Sequence, residues 1–164
     1  PALFLLGDSH VVSAAWHTVR LRRGGGGGTL ARTCVPCPCT GLKAWHCRPH
    51  AKDFFTRSNL HALLGRLPPV RTIVLSAGEI DVREGLGGPP LAGYTEECGE
   101  AVQRTAHAYL AGVRELAAAH GLQVLLLPVA PHAHRSDKNG KVVGRAARRG
   151  RTRCWNAAVR AGCG

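Results

Sequence analysis

Three short apolar runs recur along the chain, and each has the length of a buried β-strand. They cover Ala2 to Leu6, Val70 to Ala77 and Leu122 to Val129. The middle run is the clearest strand, because it is rich in the β-branched and apolar residues that parallel strands carry when both faces are buried. Runs this short cannot cross a bilayer as helices, so we expect no membrane span.

Segments with helical spacing separate these runs. We predict helices over His10 to Leu21, Lys52 to Leu67, Thr95 to His120 and Val143 to Ala161. Strands that alternate with helices favour right-handed βαβ units and a parallel sheet. The expected fold class is therefore α/β, with a mostly parallel sheet and helices on its faces.

Two further segments complete the predicted sheet. Thr29 to Pro36 is predicted to be a short edge strand, since Pro36 and Pro38 bar it from a central position. Ser76 to Arg83 is predicted to be a polar loop at a strand end. No strand follows the last predicted helix, so we expect a single domain over residues 1–164 that is incomplete at its C-terminal end.

The first apolar run ends abruptly in Gly7-Asp8-Ser9-His10, and a helical pattern starts at once. A strand, a tight turn and a helix start would present the Ser9 hydroxyl at the carboxyl edge of a parallel sheet, where open α/β sheets bind ligands. The helix start would also offer free N–H groups to an oxyanion. The alternative is a plain helix N-cap, for which Asp and Ser are preferred residues.

The chain is strongly basic, with a formal net charge of +12. Such a balance can indicate binding to nucleic acid or to an anionic surface. The excess is mostly arginine scattered along the chain, with one dense cluster over residues 145–153 on a predicted helix. Aromatic residues are few, so the stacking platforms of single-strand binders are missing. We therefore favour a solvated helix face over a nucleic-acid site.

Seven cysteines raise the question of a metal site. Soft metal ligands are dense between residues 34 and 50, namely Cys34, Cys37, Cys39, His46, Cys47 and His50. Zinc needs four converging ligands, and the single C-x2-C pair has no second such pair. We favour free, partly buried thiols, with a disulfide as the alternative in an oxidising compartment. Cys98 is expected to pack on its helix as a small hydrophobe.

Two blocks together carry a family resemblance. Gly7-Asp8-Ser9-His10 follows the first strand, and Gly78-Glu79-Ile80-Asp81 follows the central strand. With this order the sequence resembles the SGNH, or GDSL-type, hydrolase superfamily, in the subset with these first and third blocks. The resemblance spans nearly the whole chain in element order. It implies a three-layer α/β/α, flavodoxin-like domain, here without its last strand and helix, and activity as an esterase, lipase or carbohydrate acetyl-esterase.

The resemblance also implies roles for individual residues. Ser9 would be the nucleophile and an oxyanion donor through its backbone N–H, and Asp8 would shape the turn. Gly41 is the candidate for the glycine N–H of the second block. Ile80 replaces the family's oxyanion asparagine and cannot donate a hydrogen bond, a loss that costs about 10²–10³ in rate elsewhere. The other predicted site-lining residues are Gly7, His10, Gly78, Glu79 and Asp81.

The family's Asp-x-x-His motif does not occur in this sequence. The closest substitutes are His132 and His134, in the loop after the last predicted strand, and we predict them as catalytic with Ser9. A serine is activated by an imidazole within hydrogen-bond distance. The alternatives are that both are exposed loop histidines, or that the base lies beyond Gly164. His10 is another candidate, but its adjacent position makes proton transfer from Ser9 awkward.

These observations lead to two main hypotheses. In the first, the parent protein is a serine esterase that cleaves small-molecule esters or acylated carbohydrates through an acyl-enzyme on Ser9, without cofactor or metal. The present chain would then hold the nucleophile but not the base, and we expect it to be inactive alone. In the second, a non-catalytic domain of the same type binds a ligand at the same strand ends, which Ile80 favours. A basic nucleic-acid-binding or zinc-binding module is a third interpretation. The compartment and the oligomeric state do not follow from the sequence.

Overall fold

The computed structural model describes residues 1–22, 28–49, 55–84, 100–130 and 145–163. Its strands are β1 (Ala2–Gly7), β2 (Thr18–Arg22), β3 (Thr29–Pro38), β4 (Thr72–Ser76) and β5 (Gln123–Leu126). Its α-helices are α1 (Phe55–Arg66), α2 (Glu79–Glu84), α3 (Glu100–His120) and α4 (Arg145–Ala161). Two short 3₁₀ helices are η1 (Ser9–Ala14) and η2 (Ala44–Cys47).

The strands form one sheet in the order β2-β3-β1-β4-β5. β1 pairs in parallel with both β3 and β4, and β4 pairs in parallel with β5. β2 runs antiparallel to β3. The protein is therefore mixed α/β with a mostly parallel sheet, which confirms the fold class predicted from the alternation of apolar runs and helices. The carboxyl ends of the four parallel strands lie at the same edge of the sheet.

The chain divides into two compact units. The unit that holds all five strands, called the sheet unit below, comprises Pro1–Leu42, Asp53–Ser76 and Leu116–Leu127. The unit called the helical unit comprises Lys43–Lys52, Ala77–Glu115 and Pro128–Gly164. It holds η2, α2, α4 and most of α3.

An apolar cluster forms the core of the sheet unit on one face of the sheet. Leu3 and Leu5 lie two residues apart on β1 and therefore point to the same face. The cluster is completed by buried side chains from neighbouring elements and by partly buried ones packed against it, namely Val11, Ala14, Val19, Leu21, Cys34 and Val74. Burying a side chain of this size stabilises the fold by about 1.5–3 kcal/mol.

The predicted first helix is wrong, because the segment forms η1 and then the strand β2. Trp16, between them, has φ 63°, a left-handed backbone that interrupts a right-handed helix. A helix over this segment would place Val12 and Trp16 on one apolar face, but in the structure they are 52% and 71% exposed. Val19 and Leu21 instead pack into the core from alternate positions of β2, so the strand period of two accounts for them.

β3 also differs from its prediction, since it extends to Pro38 and lies between β2 and β1. The direction of the backbone donors explains how its prolines fit. The Cys39 N–H donates to the Gly7 carbonyl at the end of β1. The Cys34 N–H points the opposite way and donates to the carbonyl of His17, the residue before β2. Pro36 and Pro38 share the orientation of Cys34, and β2 pairs only as far as Thr33. Their missing N–H groups therefore leave no ladder bond unmade.

The other helices and strands agree with the sequence pattern more closely. The remaining predicted helices correspond to α1, α3 and α4, although residues 51–54, 85–99 and 131–144 lie outside the described ranges. The prediction of a polar loop over Ser76 to Arg83 is wrong, because α2 begins at Glu79 and takes up most of that segment. Within the described ranges, none of the helices combines the length and the apolar character that crossing a membrane requires.

Candidate functional site

The segment that carries Ser9 follows β1 directly, within the sheet unit. Gly7 ends β1 level with its neighbours, because it pairs with Pro38 of β3 and Ser76 of β4. A side chain at Gly7 would overlap the Ser76 carbonyl oxygen and Val11, so only glycine fits this position. Ser9 is exposed and is the first residue of η1. The Ser9 hydroxyl group therefore belongs to a solvent-exposed residue at the carboxyl edge of the sheet.

β1 occupies the point where the path of the chain across the sheet reverses. From β1 the chain passes through β2 to β3 on one side, and later to β4 on the other side. In open α/β sheets the crevice at the carboxyl ends of strands at such a switch point is the usual ligand site. Ser9, two residues beyond the end of β1, lies at this favoured place.

Asp8 organises the turn between β1 and η1. Its side chain is 3% exposed, and as N-cap its Oδ1 accepts the backbone N–H of His10 at 2.8 Å. The same oxygen lies 2.8 Å from Nδ1 of the His10 ring. The side chain of His10 is 56% exposed. Asp8 thus caps the turn and also holds the imidazole beside Ser9.

The helix dipole expected to favour an oxyanion at Ser9 does not arise in this structure. The element that begins at Ser9 is a 3₁₀ helix of six residues and not the predicted α-helix. A macrodipole needs a longer run of aligned peptides, so the local donors are the individual backbone N–H groups of the turn.

Gly41 lies in the turn after β3, also within the sheet unit. The N–H of Leu42 donates to the Cys39 carbonyl at 3.0 Å and closes the turn. Gly41 has φ +76° at the third position of this turn, where a positive φ favours glycine, and a Cβ there would meet nothing. The Cys39 N–H donates to the Gly7 carbonyl at 2.6 Å, which ties the start of the turn to the end of β1.

A groove of about 390 Å³ opens beside the end of β3. Pro38, Cys39 and Thr40 line it from the strand end. Phe55, which is 80% exposed, and Asn59 line it from α1. The groove therefore combines an exposed aromatic ring with hydroxyl and amide groups in the sheet unit.

The block Gly78 to Asp81 belongs to the helical unit, where α4 holds it in place. Gly78 has φ +109°, and a Cβ there would lie 2.7 Å from Cε2 of the Trp155 ring. Arg151, one turn earlier on α4, donates its Nε to the Val82 carbonyl at 3.0 Å. The glycine of this block is therefore required both by its backbone angle and by the indole against it.

Asp81 is wholly enclosed, with no exposed surface. Its Oδ2 accepts the Ala44 N–H at 2.7 Å and its Oδ1 accepts the Trp45 N–H at 3.2 Å. Burial raises the pKa of this carboxyl, against the opposing effect of these hydrogen bonds and of Lys43. The side chain expected to line the site thus faces the protein interior and anchors the start of η2.

Two other residues of this block lie at least partly inside the protein. Ile80, which the resemblance aligns with an oxyanion asparagine, is buried, and Glu79 is half-buried at the first position of α2. His132 and His134 lie outside the described residues, so their predicted role as general base stays a prediction.

Asn156 of α4 holds the segment that leads toward the two predicted histidines. Its Nδ2 donates to the Val129 carbonyl and its Oδ1 accepts the Val129 N–H, both at 2.9 Å. A side-chain amide that pairs with a distant backbone leaves no local pattern, so this residue could not be found from the sequence.

The thiols in the described part of the chain are mostly free. Cys34, Cys37, Cys39, Cys47 and Cys163 form no disulfide, whereas Cys154 is disulfide-bonded. Burial raises the pKa values of Cys37 and Cys39. Across the described ranges, no cysteine belongs to a group of three converging metal ligands. Within the described ranges the cysteines predicted as possible zinc ligands therefore do not converge on one point; His50 and Cys98 lie outside those ranges.

Comparisons of this chain with models of known families, with curated proteins and with solved structures found no match. The class that the fold defines is that of α/β proteins with a mostly parallel sheet. Any assignment within that class depends on the two sequence blocks and on the geometry around Ser9.

Proposed function

We propose that this chain is a serine ester hydrolase of the SGNH type, which cleaves acyl or acetyl esters through an acyl-enzyme on Ser9. The observation that carries the proposal is the exposed serine directly after β1, at the switch point of a parallel sheet, with the buried Asp8 holding its turn. Sites of catalysis in open α/β sheets occupy this position.

The proposal includes the flavodoxin-like form of the fold, with helical layers on both faces of the sheet. Taken in chain order, the four parallel strands have the spatial order second, first, third, fourth. This matches the start of the doubly wound order 2-1-3-4-5. A fifth parallel strand in such a fold would pair with β5. The exposed side chains of Leu125 and Leu127, at 39% and 46%, are apolar surface that this strand and its helix would cover.

The proposed reaction has two halves. The Ser9 Oγ attacks the ester carbonyl carbon and passes its proton to a general base, for which His132 and His134 are the predicted residues. The oxyanion of the tetrahedral intermediate accepts hydrogen bonds from the N–H groups of Ser9 and Gly41. Collapse breaks the ester C–O bond, and the alcohol leaves with the proton. Water then attacks the acyl group, which leaves as the acid and frees Ser9.

Ile80 sets the expected efficiency of this reaction. In the family that the sequence resembles, an asparagine in the third block adds a donor to the oxyanion, whereas isoleucine has no N–H in its side chain. Removing one such donor costs about 10²–10³ in rate in other acyl-transfer enzymes. We therefore propose a slow esterase, with backbone N–H groups as its oxyanion donors and no cofactor.

The proposed substrates are small-molecule esters and acylated carbohydrates. The groove beside β3 suits a sugar, since Phe55 offers an apolar ring while Thr40 and Asn59 offer hydrogen-bonding groups. Binding sites for small molecules combine aromatic surface with a few such polar groups.

Labelling with a fluorophosphonate probe tests the proposal. The wild-type chain should be labelled at Ser9, as located by peptide mass spectrometry, and should hydrolyse 4-nitrophenyl acetate. Ser9→Ala should abolish both. Ser13→Ala is the matched control, because Ser13 is an exposed serine of the same 3₁₀ helix, and it should be labelled like the wild type. Absence of labelling at Ser9 in the folded wild-type chain contradicts the proposal.

The second candidate is a non-catalytic domain that binds a ligand at the same strand ends. The buried Ile80 at the oxyanion position favours it, because a binding site needs no oxyanion donor. An acetylated xylo-oligosaccharide that binds in calorimetry, together with no labelling of Ser9, would support this candidate over the esterase.

A further inference from the structure

The helix α4 of the helical unit is strongly basic. It contains arginines but no aspartate or glutamate, and its arginines are Arg145, Arg148, Arg149, Arg151, Arg153 and Arg160. One of them has a structural role, because Arg151 donates its Nε to the Val82 carbonyl within the same unit. Three of the others, Arg149, Arg153 and Arg160, are exposed, and they are called the arginine stripe below.

The arginine stripe follows one side of α4. An α-helix has 3.6 residues per turn and rises 1.5 Å per residue, so the three positions fall within about 40° around the axis and span about 17 Å along it. The buried residues Thr152 and Trp155 lie on a different side of the helix. The stripe is therefore a narrow row of guanidinium groups on the surface of the helical unit.

The positive charge of the stripe is not compensated within the described part of the chain. None of its three arginines forms an ion pair or a side-chain hydrogen bond there. Arg149 and Arg153 are four residues apart, and like charges at this spacing on a helix repel each other. α4 also begins at Arg145 with no acidic residue in its first turn, although the macrodipole favours anions at that end. The stability of α4 therefore does not explain its arginines, whereas a bound polyanion would relieve their repulsion.

The chemistry and the length of the stripe match a row of phosphates. A guanidinium group binds phosphate oxygens through two parallel N–H donors. Each strand of duplex DNA carries one phosphate about every 3.4 Å, so about five phosphates of one strand would lie beside the stripe. Three arginines can therefore each find a phosphate along the backbone.

The neighbours of the stripe indicate which nucleic acid it suits. Single strands are bound by aromatic side chains on which bases stack, but the aromatic residue of α4, Trp155, is buried at 2% exposure. Duplex RNA is recognised partly through its 2′-hydroxyl groups. Over residues 149–161, the exposed residues outside the stripe are Ala157 and Ala161, whose side chains form no hydrogen bonds. The surface thus suits the backbone of duplex DNA.

We propose that the arginine stripe of α4 binds the phosphate backbone of duplex DNA. Contacts to phosphates carry no direct sequence information, so this binding is independent of sequence. The inference goes beyond the proposed esterase function and does not rest on it.

Fluorescence anisotropy with a short labelled DNA duplex tests the proposal in NaCl from about 50 to 200 mM. The wild-type chain should bind two duplexes of unrelated sequence alike, with an affinity that falls as salt rises. In Arg149→Gln/Arg153→Gln/Arg160→Gln, the slope of log K against log salt should be smaller by about 2.7, since each lost phosphate contact removes about 0.9. Over this fourfold range of salt, the wild-type affinity should therefore fall about 40-fold more than that of the variant. Glutamine is a good helix former, so α4 should be retained.

The matched control removes the same charge from three exposed arginines of the sheet unit, in Arg20→Gln/Arg22→Gln/Arg71→Gln. This control should keep the wild-type slope. A control slope reduced as much as that of the stripe variant would show that net charge alone attracts DNA, which overturns the proposal. It is also overturned if the wild-type chain does not bind the duplex, or binds an oligothymidine or an RNA duplex of the same length more tightly. Binding to heparin without binding to the duplex would likewise overturn it.

Discussion

Replacing Gly78 by alanine measures how closely the start of α2 is held against α4. A φ of +109° is unfavourable for alanine, and strain of this kind costs about 1–3 kcal/mol. The added Cβ would also lie 2.7 Å from Cε2 of Trp155, and overpacking costs about 1–3 kcal/mol more. We expect Gly78→Ala to lower the free energy of unfolding by roughly 2–6 kcal/mol in total.

Equilibrium urea unfolding followed by far-UV circular dichroism measures this loss, and two other glycines are matched controls. Gly121 has φ +62°, and a Cβ added there would meet open space, so Gly121→Ala isolates the backbone cost, about 1–2 kcal/mol. Gly65 in α1 has neither a positive φ nor a close neighbour. Gly65→Ala should therefore be neutral or stabilising by about 0.5–1 kcal/mol.

A double-mutant cycle with Trp155 separates the two costs at Gly78. Trp155→Ala alone should lose about 3–5 kcal/mol, because the indole is buried at 2% exposure. In that background Gly78→Ala should lose only its backbone share, which gives a coupling energy of about 1–3 kcal/mol. The close approach of the indole is refuted if Gly78→Ala is as stable as Gly65→Ala, or if its loss is unchanged without the indole.

Two other predictions concern long-range contacts of the helical unit. Because burial raises the pKa of Asp81 above its ordinary 3.8, its contribution to stability is full below that value and is lost as the pH rises through the folded-state pKa. Asp81→Asn should flatten the corresponding fall in melting temperature as the pH rises above about 4, and an unchanged slope would contradict this sign. Asn156→Ala removes both bonds to Val129 and should cost about 1–3 kcal/mol. The Val129 amide should then exchange faster with solvent, and unaltered protection would show that these bonds do not hold it.

The parts of the fold that could be predicted depend on local pattern. β4 and β5 can be found because a short apolar run bounded by polar residues is typical of a buried strand, whatever its neighbours. Their parallel pairing follows from the helices between them. The same kind of pattern misleads over Val12 to Arg22, where apolar residues fit both a period near four and a period of two. Only packing against the core selects between those periods.

The candidate site divides in the same way. The glycine turn and the aspartate before Ser9 are consecutive residues, so their geometry is visible in the sequence. The bond from Asp8 to the His10 ring required coordinates, since the residue pattern is equally consistent with a simple cap. The enclosure of Asp81 depends on N–H groups 36 and 37 residues away, and its neighbours in the chain give no sign of them.

The alternation of strands and helices and the glycine turn before Ser9 are properties of neighbouring residues, so the sequence alone was enough to find them. Other features were visible only in the tertiary structure. β3 lies between β2 and β1, and Asp81 and Ile80 are buried. Trp155 packs against Gly78, and Asn156 bonds to Val129. The physical reason is that hydrophobic periodicity acts over one or two turns. The partner that satisfies a buried polar group, or fills the space beside a glycine, comes from wherever the topology brings another segment.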